Sequence, residues 1–76
     1  MPTINMTATG QRIRALRLER GITIRHLQTV LGFGTPQAIY KWERGDTMPT
    51  LDNLIIVADV LGITIDQIVV IDRPSA

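Results

Sequence analysis

Thr35-Pro36-Gln37-Ala38-Ile39-Tyr40-Lys41-Trp42-Glu43-Arg44-Gly45 decides the reading of this chain. It carries helix punctuation at both ends: a hydroxyl able to cap, proline in the first turn and glycine just past the last. Ile39 and Trp42 stand three apart, share one face and can pack inward. Gln37, Tyr40, Lys41 and Arg44 are left facing outward. A short helix presenting an amide, a phenol and two cations suits a base edge and phosphates better than a small-molecule pocket. The rest of the chain is expected to hold this helix and aim it.

Upstream, Thr7 or Thr9 can cap a helix running to about Arg20, closed by Gly21. After the turn Gly21-Ile22, Thr23 caps a second helix in which Ile24, Leu27 and Leu31 recur at helical spacing, with Gly32 as its stop. Gly32-Phe33-Gly34 is a turn of two glycines around an apolar anchor. Two short helices joined by a glycine-containing turn, the second with polar side chains outward, form a helix-turn-helix pattern. Downstream, Asp46-Thr47-Met48-Pro49 reads as a loop. Thr50 opens a fourth helix carrying Leu51, Leu54, Ile55, Val57, Ala58 and Leu61 up to Gly62. Thr64 with Gln67 is a capping box for a short fifth helix through about Val70. Residues 1–6 have no periodicity and are expected to form a flexible arm, 7–71 the folded domain, and 72–76 a tail. Val69-Val70-Ile71 has strand character but no evident strand partner.

A chain of 76 residues, 45% apolar and 20% charged, is one globular domain with a modest core. With no cysteine, neither disulfides nor a thiolate zinc site can hold it together. It lacks a signal-peptide start and any apolar run near the roughly 20 residues that cross a bilayer, so a cytoplasmic location is expected. One histidine, His26, and no paired-carboxylate or metal-spaced cluster argue against an enzyme, a metal or a cofactor. The net charge of +1 conceals an asymmetry. From Gln11 to Gly45 the balance is +5, and from Asp46 onward it is −4, carried by Asp46, Asp52, Asp59, Asp66 and Asp72 against Arg73. A basic front and an acidic back orient a protein in the field of a polyanion.

The residues Ile13-Arg14-x-Leu16-Arg17, Gly21-x-Thr23, Leu27, Leu31-Gly32, Ile39-x-x-Trp42-Glu43-Arg44-Gly45, Pro49, Leu54, Ala58 and Leu61-Gly62 resemble the Cro/C1-type (XRE-like) helix-turn-helix family of phage repressors and bacterial transcriptional regulators. The resemblance spans roughly Gly10 to Val69. It implies an all-α, compact five-helix, lambda-repressor-like fold that binds double-stranded DNA. The third helix would enter the major groove. Gln37 could then pair bidentately with adenine, and Lys41 could reach guanine or a phosphate. Tyr40 is a candidate for sugar stacking or a phosphate bond, and Pro36 for a shape or thymine-methyl contact. Thr35 sits at a helix N-terminus, where phosphates are attracted. Arg44 and the backbone from Asp46 to Met48, Thr47 included, follow the helix where the family touches phosphates. Arg12, Arg14 and Arg25 are candidates for the same role. Glu43 would repel phosphate if exposed; the resemblance pairs it with Arg17, as a lock between the first and third helices. Trp42 is expected in the core.

Three positions depart from the family. Gly34 looks inserted before the third helix. Ile24 replaces a glutamine that bonds a phosphate, and Gln28 replaces a small residue where the two helices pack closely. Ile56 and Val60, with Val69, Val70 and Ile71, make a candidate homodimer surface. The same pattern would also fit the antitoxin of a toxin–antitoxin pair, or a protein-interaction module without DNA binding.

Overall fold

The computed structural model describes residues 1–74, and the expected tail residues Ser75 and Ala76 lie outside the described residues. In chain order the elements are a strand β1 (Thr3–Ile4), helices α1 (Met6–Glu19), α2 (Ile24–Leu31), α3 (Gln37–Arg44) and α4 (Leu51–Leu61), a 3-10 turn (Ile65–Gln67) and a strand β2 (Ile71–Asp72). The helix limits follow local chemistry. Thr23 Oγ1 accepts from the His26 N–H at 3.0 Å and Thr50 Oγ1 from the Asn53 N–H at 3.3 Å, which satisfies first-turn donors. Gly32, Gly45 and Gly62 end α2, α3 and α4 in the left-handed conformation.

α1 packs on α3 and α2 on α4. Between them lie Ile13, Leu27, Ile39, Trp42, Leu54, Val57, Ala58, Leu61 and Ile68, the buried apolar core. Burying each of the larger of these side chains is worth about 1.5–3 kcal/mol, and in so small a domain these few residues carry most of the stability. Phe33 sets its ring edge-on to Trp42 at a centroid distance of 5.7 Å, so the turn between α2 and α3 is fastened to the same core. No helix among the described residues is long and apolar enough to cross a membrane.

The ends of the chain differ from expectation. α1 begins at Met6 and is capped by Asn5, whose Oδ1 accepts from the Ala8 N–H at 2.9 Å; Thr7 and Thr9 lie inside the helix. The supposed loose arm contributes a strand. Thr3 pairs with Asp72 and Ile4 with Ile71 in an antiparallel ladder, so the Val69–Ile71 segment does have a partner. The Asn5 N–H extends the ladder to the Val70 carbonyl at 2.8 Å. Thr9 is buried, and its Oγ1 accepts from the Val70 N–H at 2.9 Å, pinning the ribbon to α1.

Instead of a fifth α-helix through Val70 there is one turn of 3-10 helix. The Thr64–Gln67 capping box forms, with the Thr64 N–H donating to Gln67 Oε1 at 3.0 Å, but Ile68 drops into the core and the chain leaves as a strand. The expected apolar surface is also redrawn. Ile56, Val60, Val69 and Val70 are half-buried, and Val60 and Val69 pack on the core. The exposed large apolar side chains of this region are Leu51 (67% exposed) and Ile55 (51%) on α4, with Ile4 and Ile71 paired on the ribbon.

Candidate nucleic-acid interface

The candidate site is the outer face of α3 and the elements that flank it. Ile39, Trp42 and Glu43 are buried on the inner side; Gln37, Tyr40, Lys41 and Arg44 are all exposed. The division follows the helical period: the inward residues span one stripe, and the outward four cover the remainder.

Glu43 is held by a fork. Arg17 Nε donates to Glu43 Oε2 at 2.8 Å and Nη2 to Oε1 at 3.2 Å, with both side chains nearly excluded from solvent. Arg17 Nη1 also donates to the Ile22 carbonyl at 3.1 Å, so one guanidinium ties α1, α3 and the α1–α2 turn together. Such a bidentate pair fixes angle as well as distance. Arg14 stands beside it, its Nε 4.0 Å from Glu43 Oε1, and its side chain is largely in solvent.

The approach of α1 to α3 depends on Gly10, which sequence reasoning passed over. A Cβ there would land on the Trp42 carbonyl oxygen and lie 2.9 Å from that of Glu43. Gly45, at φ +81°, lies against α1 in turn, where a Cβ would stand 2.7 Å from Thr7 Cα. The only hint in the sequence was glycine early in a helix, where it costs about 1 kcal/mol unless a close contact requires it.

The start of α3 is not capped as expected. Pro36 occupies the N-cap, no side chain bonds the first turn, and Thr35 is exposed. Phe33 of the preceding turn is tied down twice: its ring packs on Trp42, and its carbonyl accepts from Gln28 Nε2 at 3.2 Å. Gln28 thus reaches past the end of α2 to hold the start of the turn. Gly34 has open space around its Cα and no left-handed strain, and Ile24 is half-buried against the core.

At the other end, the Asp46 and Thr47 N–H groups donate to the Lys41 carbonyl at 2.9 and 3.5 Å. Those two backbone donors are therefore engaged with the helix end, leaving the exposed Thr47 hydroxyl as that residue's available group. Arg44 Nε bonds Asp46 Oδ2 at 3.0 Å on the surface, an exposed pair worth little in stability. Arg25 is exposed on α2 beside α3, and His26 is exposed with only its backbone N–H engaged. Arg12 lies elsewhere: its Nη1 donates to the Gln67 carbonyl at 3.0 Å, next to the 3-10 turn.

A profile of the helix-turn-helix family matches residues 13–68. Among solved structures, the restriction-modification controller protein C.AhdI from Aeromonas hydrophila superposes with a TM-score of 0.75 at 26% identity, covering 84% of this chain and 96% of its own. The P22 c2 repressor, crystallised with a synthetic operator, gives 0.71 at 33% identity, covering 79% and 89%. The clp gene regulator ClgR from Corynebacterium glutamicum gives 0.72 at 25% identity, covering 83% and 80%. No match is found among curated proteins.

Proposed function

Since this chain belongs to the Cro/C1-type (XRE-like) helix-turn-helix family, we propose that it binds a specific double-stranded DNA site and represses transcription there. The carrying observation is the divided surface of α3. Its inner stripe is locked into the core through Ile39, Trp42 and Glu43, while Gln37, Tyr40, Lys41 and Arg44 are exposed on the outer face. An eight-residue helix fits the major groove, where base edges carry a unique donor and acceptor pattern. Gln37, at its N-terminal end, reads adenine; Lys41, one turn on, reaches a guanine or a phosphate. Pro36 offers shape and an apolar contact to a thymine methyl. Thr35 and the uncapped first turn accept a phosphate, as do Arg25, Arg44 and the Thr47 hydroxyl.

A helix this short reads too few base pairs for a unique genomic site, so the active form is a homodimer on a pseudo-palindrome. Its two reading helices are spaced about 34–36 Å apart. The exposed side chains Leu51, Ile55 and Ile71 favour an interface centred on α4 and the ribbon, to which Ile56, Val60, Val69 and Val70 contribute their partly exposed edges. The protein has no catalytic role in this reading, and repression follows from occluding polymerase.

Selection from a random duplex pool, followed by binding of the enriched site at two salt concentrations, tests the proposal. An enriched site with a steep salt slope is expected. Gln37→Ala should relax preference at one or two positions at a cost of about 1–3 kcal/mol, while Arg44→Ala weakens all sequences alike. A pool that stays random, together with salt-insensitive binding, would sink the reading in favour of a protein-interaction module.

A further inference from the structure

Arg12, Leu16 and Arg20 recur every fourth residue along α1 and, with Ile63 and Gln67, line an open cleft of about 290 Å³. Leu16 and Ile63 are half-buried, pack on the core and make its apolar floor. Arg12 and Arg20 are exposed at its two ends. Arg12 Nη1 donates to the Gln67 carbonyl at 3.0 Å, which holds the guanidinium at the rim while its Nε and Nη2 bond no described residue. The acid beside Arg20 is Glu19, at 4.0 Å, too far for a hydrogen bond. Arg12 is two residues from Arg14, about 200° round the helix, and Arg14 borders Glu43 of α3. The cleft therefore faces away from α3, and an occupant leaves the reading face open.

Its counterpart lies on α4. Asp52, Ile55 and Asp59 are exposed and stand three and four residues apart on one face, an acidic stripe with an apolar centre. Neither carboxylate forms an ion pair among the described residues. Asp59 sits near the end of α4, where the helix dipole disfavours an acid and no basic residue shares the last turn. The two stripes also match in length. Arg12 to Arg20 spans about 12 Å of helix rise, and Asp52 to Asp59 about 10.5 Å.

We propose that in the homodimer the α4 stripe of each copy seats in the Arg12–Arg20 cleft of the other, two identical contacts closing about one two-fold axis. The inference rests on the dimeric reading and names the surface that α4 meets. Ile55 covers Leu16 and Ile63, and the Asp52 and Asp59 carboxylates neutralise the guanidiniums at the two ends. Reciprocity is possible because the cleft adjoins α4 within each copy: Ile63 follows the helix directly, its N–H donating to the Ala58 carbonyl at 3.0 Å. Pairing α4 directly on α4 would instead set the two acidic stripes against each other.

The test is sedimentation of the full chain across concentration and at two salt concentrations, with two charge-reversed proteins, Asp52→Lys with Asp59→Lys and Arg12→Glu with Arg20→Glu. The wild-type dimer should weaken as salt rises. Each reversed protein alone puts like charges into both contacts and should dimerise on the order of tenfold or more weakly. Mixed in equal amounts, they restore opposite charges at every contact, and a heterodimer should form about as tightly as wild type. Circular dichroism checks folding; should either protein unfold, Asp52→Asn with Asp59→Asn serves, and should weaken the dimer and remove most of its salt dependence. A mixture no tighter than its parts, a lysine protein that dimerises better than wild type, an asparagine protein that matches it, or growth past a dimer would overturn the proposal. A wild type that is monomeric both free and on its selected duplex would overturn the dimeric reading itself, a distinct result.

Discussion

Gly10→Ala separates two contributions of opposite sign. Judged by helix propensity alone, alanine in the middle of α1 should stabilise the protein by about 1 kcal/mol. The packing says otherwise. The new Cβ would overlap the Trp42 carbonyl oxygen and stand 2.9 and 3.0 Å from the Glu43 carbonyl oxygen and carbon, where ordinary contact starts at 3.4 Å. These are backbone atoms of α3, and they cannot turn aside as a side-chain tip would. α3 cannot readily retreat either, because Ile39 and Trp42 are seated in the core and Glu43 is gripped by Arg17. Overpacking costs about 1–3 kcal/mol, here the upper about 2–3 because the atoms met are backbone, and partly loosening the buried ion pair adds about 1 kcal/mol. With the propensity gain subtracted, we expect a net loss of about 2–3 kcal/mol, a large share of the total for a domain of this size. That corresponds to a fall in Tm on the order of 10–20 °C. Urea unfolding followed by Trp42 fluorescence measures it. Gly34→Ala is the matched control: its Cβ would meet nothing within 4 Å, so stability should hold or rise slightly. A Gly10→Ala protein as stable as wild type, or more so, would refute the close-approach argument.

Other perturbations test other links. Glu43→Ala leaves Arg17 buried without its carboxylate and should cost about 3–5 kcal/mol, whereas replacing both residues with apolar side chains (Arg17→Met with Glu43→Leu) should recover most of that. A double variant as unstable as the single one, by urea unfolding, would contradict the desolvation account. Thr9→Val keeps shape but strips the acceptor from the Val70 N–H, at about 1–3 kcal/mol; hydrogen exchange at Val70 should quicken, and unchanged protection would mean the ribbon is held otherwise. Leu51→Glu and Ile55→Glu should leave the fold intact and shift sedimentation from dimer to monomer, while Val60→Ala, at a half-buried position, should lower stability more than association. A dimer indifferent to both glutamates would move the interface off α4.

What could be read from the sequence was what is local. The stops at Gly32, Gly45 and Gly62 and the caps at Thr23 and Thr50 act within a turn, so residue types alone placed α2, α4 and the end of α3. Trp42 and Ile39 were assignable inward by spacing, and the Arg17–Glu43 fork through the family resemblance. The β1–β2 ribbon could not be seen, because two-residue strands at opposite ends of the chain have no periodicity and find each other only after α1 and Ile68 are in place. Asn5 was overlooked as a cap because two threonines nearby were equally able to serve, and the choice falls to the strand that precedes it. On α4 the pattern Leu51-x-x-Leu54-Ile55-Ile56-Val57 is apolar nearly all round, and periodicity cannot tell which isoleucine faces out; the position of α2 decides it.

The turn before α3 bears most on function, since it sets what the helix presents. An extra glycine there could have rotated α3 out of its seat, but the seat is fixed independently on both sides. Phe33 is anchored to Trp42, and its carbonyl to Gln28, ahead of the insertion. Arg17 grips Glu43 behind it. Gly34 therefore falls between two fixed points, and at the N-terminus of α3 Thr35 is exposed and Pro36 is the N-cap. With Ile39, Trp42 and Glu43 seated inward, Lys41 and Arg44 are held on the exposed face of α3. Gln28 and Trp42 therefore tether the α2 side of the turn through Phe33, the Arg17–Glu43 fork tethers α3 beyond it, and Gly34 lies in the open stretch between the two.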